Sequence, residues 1–185
     1  MAKRHVAPLV RGRVRLRLLE EGDLPMTLAW RNQDHIRQWF FHSDLITAEQ
    51  HRRWFEQYRD RDDDFVFVIE ETETLKRPVG QVALYHVDWV ARRAEFGRLM
   101  IGDAEATGLG LARLATRRLV GEALGHWRLR DVYLECLAAN DRALAVYVEC
   151  GFDTVAHHGG VVRMCRTRDW PEIPPAQELP GGRSA

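Results

Sequence analysis

Residues 96–112 read Phe-Gly-Arg-Leu-Met-Ile-Gly-Asp-Ala-Glu-Ala-Thr-Gly-Leu-Gly-Leu-Ala. The run opens as an apolar strand, passes through a short polar turn, and enters a helix at the Gly-Leu-Gly step. Glycine permits backbone conformations and close approaches that side chains forbid. The free N–H groups at a helix start attract phosphate, and the helix dipole adds to the attraction. The stretch therefore reads as a cradle for a pyrophosphate, or more simply as a tight turn. It is not a P-loop, because no Gly-Lys-Ser/Thr follows, and it lacks the third glycine of a dinucleotide fingerprint.

Working outward, the neighbouring segments predict strands and helices in a fixed order. Residues 14–19 alternate, with Val14, Leu16 and Leu18 on one face and Arg15 and Arg17 on the other, as a strand does. Asp23 is placed to cap a following helix that tolerates Pro25 in its first turn and carries Trp30, Arg31 and Asn32. Thr47-Ala-Glu-Gln has capping-box spacing, and His51, Trp54, Phe55 and Tyr58 then fall on one helical face. Residues 65–70, 79–87 and 94–101 read as strands, with a turn at Arg77-Pro78. A helix over about 108–124, a strand over 131–137 and a helix over 140–150 follow, the last ended by Gly151. Two strands, 153–157 and 161–167, close the pattern around a Gly159-Gly160 turn. The hairpins and the one β-α-β unit imply an α/β (α+β) fold: a mixed, mostly antiparallel central sheet flanked by helices.

Length and composition limit the function. A chain of 185 residues fits a single domain, here read as residues 1–185 with a core of about 14–168 and loose ends at 1–12 and 171–185. The 27 basic and 27 acidic residues cancel, which argues against a nucleic-acid partner. The basic run Lys3, Arg4, Arg11, Arg13, Arg15 and Arg17 reads as a solvated arm and the polar face of a strand. No apolar stretch suggests a membrane span or a leader peptide. Three cysteines, Cys136, Cys150 and Cys165, form no pair pattern and fit a reducing cytoplasm. His157-His158 carries no accompanying ligand pattern, so no metal is expected.

The second chemical signal lies at residues 140–152. Asn140 can cap the helix and offers a side-chain amide, and Tyr147 stands one turn beyond Ala143. A phenol is protonated at neutral pH and can donate to a leaving thiolate. A lone tyrosine in such a helix more often reads as a core residue with its hydroxyl satisfied.

These two segments together resemble the GNAT superfamily. Glu105-Ala-Thr-Gly-Leu-Gly110 is similar to its acyl-CoA signature, Gln/Arg-x-x-Gly-x-Gly/Ala, and residues 140–152 are similar to its later Asn-x-x-Ala/Ser-x-x-x-Tyr-x-x-x-Gly-Phe motif. The resemblance implies acetyl-CoA as co-substrate. It implies that Leu99, Met100 and Ile101 offer backbone groups to the pantetheine arm. Gly108, Leu109, Gly110, Leu111 and Ala112 would hold the pyrophosphate, and Asn140, Ala143 and Tyr147 would lie by the thioester. Glu105 departs from the signature; a carboxylate repels phosphate, so its side chain is expected to turn away.

Residues 16–24, Trp30-Arg-Asn32 and Glu49-x-His51-x-x-Trp54-Phe55 resemble a branch of that family. The branch holds ribosomal-protein N-terminal, spermidine and nucleotide-linked amino-sugar acetyltransferases, and the last group is the most similar. The implied reaction is direct transfer of acetyl to a primary amine of a small molecule. Protein N-termini, polyamines or aminoglycosides are the alternative acceptors, and a non-catalytic acyl-CoA-binding module is the alternative of another class. Trp30, Arg31, Asn32 and His35 would line the acceptor cleft, with Arg31 facing a substrate phosphate or a structural ion pair. Tyr147 would be the acid. Glu95, His86 or His35 would be the base, although Glu95 could instead pair with Arg92, Arg93 or Arg98. The branch also implies a homodimer.

Overall fold

The computed structural model describes residues 3–168. Its strands are β1 (Leu9–Arg11), β2 (Val14–Leu18), β3 (Asp64–Glu71), β4 (Arg77–Asp88), β5 (Arg93–Ile101), β6 (Asp131–Leu137), β7 (Asp153–His158) and β8 (Val161–Thr167). The helices are α1 (Leu24–Arg31), α2 (Asp34–Arg37), α3 (Ala48–Tyr58), α4 (Leu111–Gly125) and α5 (Asp141–Glu149). The strands form one sheet in the order β1-β2-β3-β4-β5-β6-β8-β7. Every pairing is antiparallel except β5 with β6. The mixed, mostly antiparallel sheet expected from the hairpin spacing is therefore present.

The alternation of apolar residues on each strand sorts the two faces of the sheet. Leu16, Phe67, Ile69, Val82, Leu84 and Phe96 pack with α4, Tyr147 and Phe152 on one face. Val66, Val68 and Ala83 pack with Phe55 and Tyr58 of α3 on the other. Thr47 and Gln50 make the capping box that starts α3. Asn140 Oδ1 accepts from the Ala143 N–H at 3.2 Å and starts α5, while Gly151, with φ 82°, ends it. Among the described residues, no helix is long and apolar enough to cross a membrane.

Several local expectations change. Residues 3–12 are not a loose end. Val6 and Leu9 are buried, β1 pairs with β2, and Lys3 and Arg4 stand over the Tyr58 and Trp89 rings at 3.1 and 3.4 Å. Two apolar anchors and two cation–π contacts outweigh the basic character of the arm. The expected loose end at 171–185 lies outside the described residues. Arg77 and Pro78 belong to β4 rather than to a turn. The β3–β4 register slips between Ile69 and Glu70, opposite Pro78, which spares the sheet a missing N–H donor. The turn itself is built by the buried Glu71 carboxylate, which accepts from the N–H groups of Glu73, Thr74, Leu75 and Lys76. Asp23 precedes α1 but makes no side-chain cap, because its carboxylate is bound by Arg17 at 2.6 and 2.7 Å. α4 begins at Leu111, since Gly108 and Gly110 adopt φ 82° and 73° and remain in the turn.

Candidate active site

The site is built where β5 and β6 part. Their pairing is confined to Arg93↔Asp131, Ala94↔Val132 and Glu95↔Tyr133. Beyond Glu95, β5 follows β4 to Ile101, whereas β6 follows β8 to Leu137. A wedge-shaped gap opens between them, edged by backbone of Leu99, Met100 and Ile101. The β4–β5 register also slips between Gln81 and Ala83, and Arg98 sits there with φ 50°. A non-glycine residue in the left-handed region is uncommon and often marks a functional bend.

The wedge leads to the N-terminus of α4. Leu114 N–H is the first to reach back, to the Gly110 carbonyl at 3.2 Å. The N–H groups of Leu111 and Ala112 therefore precede the helical ladder and can meet phosphate. The Leu111 side chain is buried, which leaves its backbone N–H as the group it could offer. Arg13 donates to the Leu109 carbonyl at 2.5 Å and steadies the turn. Glu105 turns away as expected: its carboxylate pairs with Arg77, which also holds Asp103 at 2.7 Å. An open strand edge for an amide-rich arm and a glycine-formed helix start for phosphate fit the coenzyme's parts in sequence.

Tyr147 lies on the α4–α5 face of the wedge. Its ring packs edge-on against Phe96 at 5.9 Å and Phe152 at 6.0 Å. Its hydroxyl makes no hydrogen bond among the described residues. Burial, with the neighbouring Cys136 and Cys150 thiols adding to it, pushes its pKa above the ordinary phenol value. Asn140 and Ala143 open the same helix, with the Asn140 oxygen spent on the cap.

Glu95 lies on the opposite face. It pairs with none of Arg92, Arg93 and Arg98; Arg93 holds Asp131 at 3.0 Å and Arg98 holds Asp64 at 2.7 Å. The Glu95 carboxylate instead accepts from the Tyr85 hydroxyl at 2.7 Å and meets His86 Nδ1 at 3.0 Å. Burial and the bond to Glu95 push the Tyr85 phenol upward. Adjacent β5 residues point to opposite faces, so Phe96 reaches Tyr147 while Glu95 reaches Tyr85. The wedge is the opening at which both faces meet.

A cavity of about 440 Å³ lies on the Glu95 side of the sheet. It is lined by α1, α3, residues 40–46 and the two strand residues Gln81 and Arg98. Of the four residues expected in the acceptor cleft, Arg31 lines it. Trp30 is buried beside Ile36 and Met100 beneath the end of β5. Asn32 clamps Ile46 through both its amide groups, at 2.8 and 3.0 Å, and so shapes the cavity wall. His35 is exposed on α2 and does not line the cavity.

Arg31 has an unusual environment. The residue is 8% exposed, and Nη1 is buried with no hydrogen-bond partner. Nη2 donates to the His42 carbonyl, and the guanidinium stands 4.2 Å from the Phe40 ring centroid. No carboxylate pairs with it among the described residues. Burial, with the Arg37 charge adding to it, lowers its pKa. His51 also lines the cavity, stacked on Trp54 at 5.3 Å and 3.2 Å from the Thr27 hydroxyl; burial lowers its pKa. Tyr85, Phe40, His42 and Gln81 escaped sequence reasoning, and Arg98 entered it only as a possible partner of Glu95. No motif marks them: Tyr85, Gln81 and Arg98 come from β4 and β5 next to their register slips, and Phe40 and His42 from the segment after α2. Among the described residues no group of three or more His, Cys, Asp or Glu side chains could hold a metal ion.

Comparison with known proteins agrees with this geometry. Residues 13–153 match the model of the acetyltransferase (GNAT) domain. The chain is 28% identical over 142 residues to spermidine N(1)-acetyltransferase of Vibrio cholerae serotype O1, spanning 77% of this chain and 80% of that protein. It is 26% identical over 147 residues to a putative ribosomal N-acetyltransferase of Bacillus subtilis strain 168, spanning 75% and 77%. The crystal structure of the Vibrio cholerae spermidine N-acetyltransferase in complex with CoA and spermine superposes with a TM-score of 0.76 at 26% identity, covering 84% of this chain and 96% of that one. The chain belongs to the GNAT acetyltransferase family and is an acetyl-CoA-dependent N-acetyltransferase.

Proposed function

We propose that this enzyme acetylates a primary amine on a small molecule that also carries an anionic group, of which a nucleotide-linked amino sugar is the favoured class. The single observation that carries the acceptor class is Arg31, a cavity-lining residue whose Nη1 is buried without a hydrogen-bond partner and which no carboxylate pairs among the described residues. An uncompensated buried charge is costly, and a phosphate or carboxylate of the acceptor would relieve it. Phe40 and Trp54 add flat apolar surface to the same cavity. A polycation would gain little there. Asp44 is the one carboxylate among the lining residues, while Asp62, Asp63 and Asp64 are each committed to an arginine.

In the proposed reaction, residues 14–168 act as one catalytic domain. Glu95 accepts a proton from the acceptor nitrogen, directly or through water, and the freed lone pair attacks the thioester carbonyl. The β5 backbone around Leu99 to Ile101 donates to the carbonyl oxygen as charge develops on it. Tyr147 gives its proton to the sulfur as the C–S bond breaks, and the second proton of the attacking nitrogen, lost as the amide forms, restores the phenol. Its raised pKa keeps the phenol protonated at neutral pH, and its hydroxyl has no competing partner. Alignment of amine and thioester within the wedge supplies much of the rate. The outer strand β7, exposed along its whole length and carrying Val155, supports a homodimer.

The test is CoA release from acetyl-CoA with nucleotide-linked amino sugars, amino acids, aminoglycosides, peptides and spermidine, in wild type and Arg31→Met. The expected result is turnover with a phosphate- or carboxylate-bearing amine, with Arg31→Met raising its KM about 10–100-fold through loss of a charged hydrogen bond. Preferred turnover of spermidine, improved by Arg31→Met, would refute the anionic acceptor and favour a polyamine.

A further inference from the structure

We propose that Tyr85 and His86 are positioning residues that anchor both oxygens of Glu95. The inference rests on Glu95 as the proton acceptor of the transfer proposed above. Its starting point is a backbone irregularity. Consecutive residues of a regular strand point to opposite faces of a sheet. Tyr85 and His86 are consecutive in β4, yet both reach the same carboxylate: Tyr85 Oη to Oε1 at 2.7 Å, His86 Nδ1 to Oε2 at 3.0 Å. Their rings meet edge-on at 4.9 Å. What allows this is His86 itself, which adopts φ 49° where the β4–β5 register slips between Tyr85 and Asp88. Bulges of this kind re-aim a side chain next to active sites. L-residues avoid the left-handed region, and no glycine relieves it at position 86, so the conformation must be held by its surroundings.

Room for the arrangement is reserved elsewhere. A Cβ at Gly97 would lie 2.8 Å from the Tyr85 hydroxyl, so the bare backbone of β5 lets the phenol lie against it. Arg98 stands 4.4 Å from the Tyr85 ring centroid and lines the acceptor cavity, which ties the anchored carboxylate to the acceptor side of the wedge. The charged and titratable groups around the pair come from four elements. Tyr85 lies on β4. Arg93 and Arg98 lie on β5, neutralised by Asp131 and Asp64. Tyr133 lies opposite Glu95 on β6, and Asp63 precedes β3 and is held by Arg61. The His86 side chain is 62% exposed and stands at the solvent edge of the pair.

The consequence is a carboxylate with two fixed donors. The His86 Nδ1–H orients Oε2 and the Tyr85 O–H orients Oε1. Neither residue touches the reacting atoms; both act through Glu95.

Two measurements test this. The first needs no acceptor. Nitrogen-15 NMR of the His86 ring, at a pH where it is neutral, is expected to report the Nδ1–H tautomer in wild type and a shift toward Nε2–H in Glu95→Ala, because the bond at one ring nitrogen selects the tautomer. The same tautomer in both proteins would overturn the anchoring by His86, whatever the acceptor proves to be. The second uses the amine that the wild type acetylates. Tyr85→Phe is expected to lower kcat about tenfold with KM within about twofold, a loss of alignment rather than of binding. His86→Asn retains a donor near the Nδ1 position, whereas His86→Ala removes it. The kcat is expected to fall about tenfold in His86→Ala and to be largely recovered in His86→Asn. Equal losses in the two His86 variants, or KM changes as large as the kcat changes, would overturn the positioning role.

Discussion

Replacing Gly102 with alanine should destabilise the protein and loosen the acceptor site together. A Cβ at position 102 would lie 2.0, 2.3 and 2.5 Å from Cγ, Cδ1 and Cβ of Trp30. Ordinary carbon contacts are about 3.5–4.0 Å, so one of the two must retreat by roughly 1.5 Å. Neither is free to do so. Gly102 N–H donates to the Val79 carbonyl at 2.9 Å, and Gln33 Nε2 donates to the Gly102 carbonyl at 3.1 Å. Trp30 is 8% exposed and wedged against Ile36 and Met100. Overpacking of this kind costs about 1–3 kcal/mol. For a chain of 185 residues that corresponds to a fall in Tm of roughly 2–12 °C. Because Arg31 follows Trp30 on α1, the acceptor KM should rise as well. Gly121→Ala is the control. Position 121 is inside α4 with nothing within 4 Å of an added Cβ, so the same substitution should stabilise by about 0.5–1 kcal/mol. Thermal unfolding by circular dichroism and steady-state KM for both substrates measure the two effects. A Gly102→Ala protein as stable as wild type, or less stable with its acceptor KM unchanged, would refute the link from Gly102 through Trp30 to Arg31.

Two further outcomes follow from the geometry. Tyr147→Phe should lower kcat about 100-fold while leaving Tm within about 2 °C, because the hydroxyl makes no hydrogen bond to lose; single-turnover acetyl transfer checks it, and an unchanged rate removes Tyr147 as the acid. Acid stability should weaken through Glu71 and Asp23. Burial pushes both carboxyls up, but four backbone N–H groups at Glu71, and Arg17 with the Glu20 N–H at Asp23, more than offset it and hold both below the ordinary carboxylate range. Their stabilisation is present above the unfolded carboxylate values of about 4 and is lost as pH falls through the lower folded values. Tm measured from pH 7 to 3 should drop steeply at the acid end, and less steeply in Glu71→Gln.

Much of the fold was legible because it is written in short-range periodicity. The alternation at Val14, Leu16 and Leu18, the box at Thr47 and Gln50, and the cap at Asn140 each involve residues within one element, where local sterics and hydrogen bonding decide the outcome. The N-terminal strand was not legible. Leu9–Arg11 is too short to show a period; pairing with β2 and burial of Leu9 order it, while Lys3 and Arg4 ahead of it stand over Tyr58 and Trp89 far along the chain. Arg77-Pro78 carries the local signature of a turn, but a slip in the partner strand β3 accommodates the proline and the strand continues.

The sequence by itself determined the elements of the proposed coenzyme end of the site. The glycine turn, the following helix and the tyrosine helix are contiguous motifs, and phosphate binding at a helix N-terminus needs little beyond local backbone geometry. The acceptor end and the proton acceptor's surroundings were decided by tertiary structure. Glu95 could have paired with any of three nearby arginines, until Asp64 and Asp131 claimed two of them and a left-handed His86 brought its imidazole beside Tyr85. Trp30, Arg31 and Asn32 are neighbours in sequence with three different fates: a buried wedge under β5, an unpaired charge in the cavity, and a clamp on residue Ile46. Which fate each takes depends on the helical turn it occupies and on what the sheet and the 40–46 segment present to it: Met100 for Trp30, His42 for Arg31 and Ile46 for Asn32, which lie 70, 11 and 14 residues away along the chain.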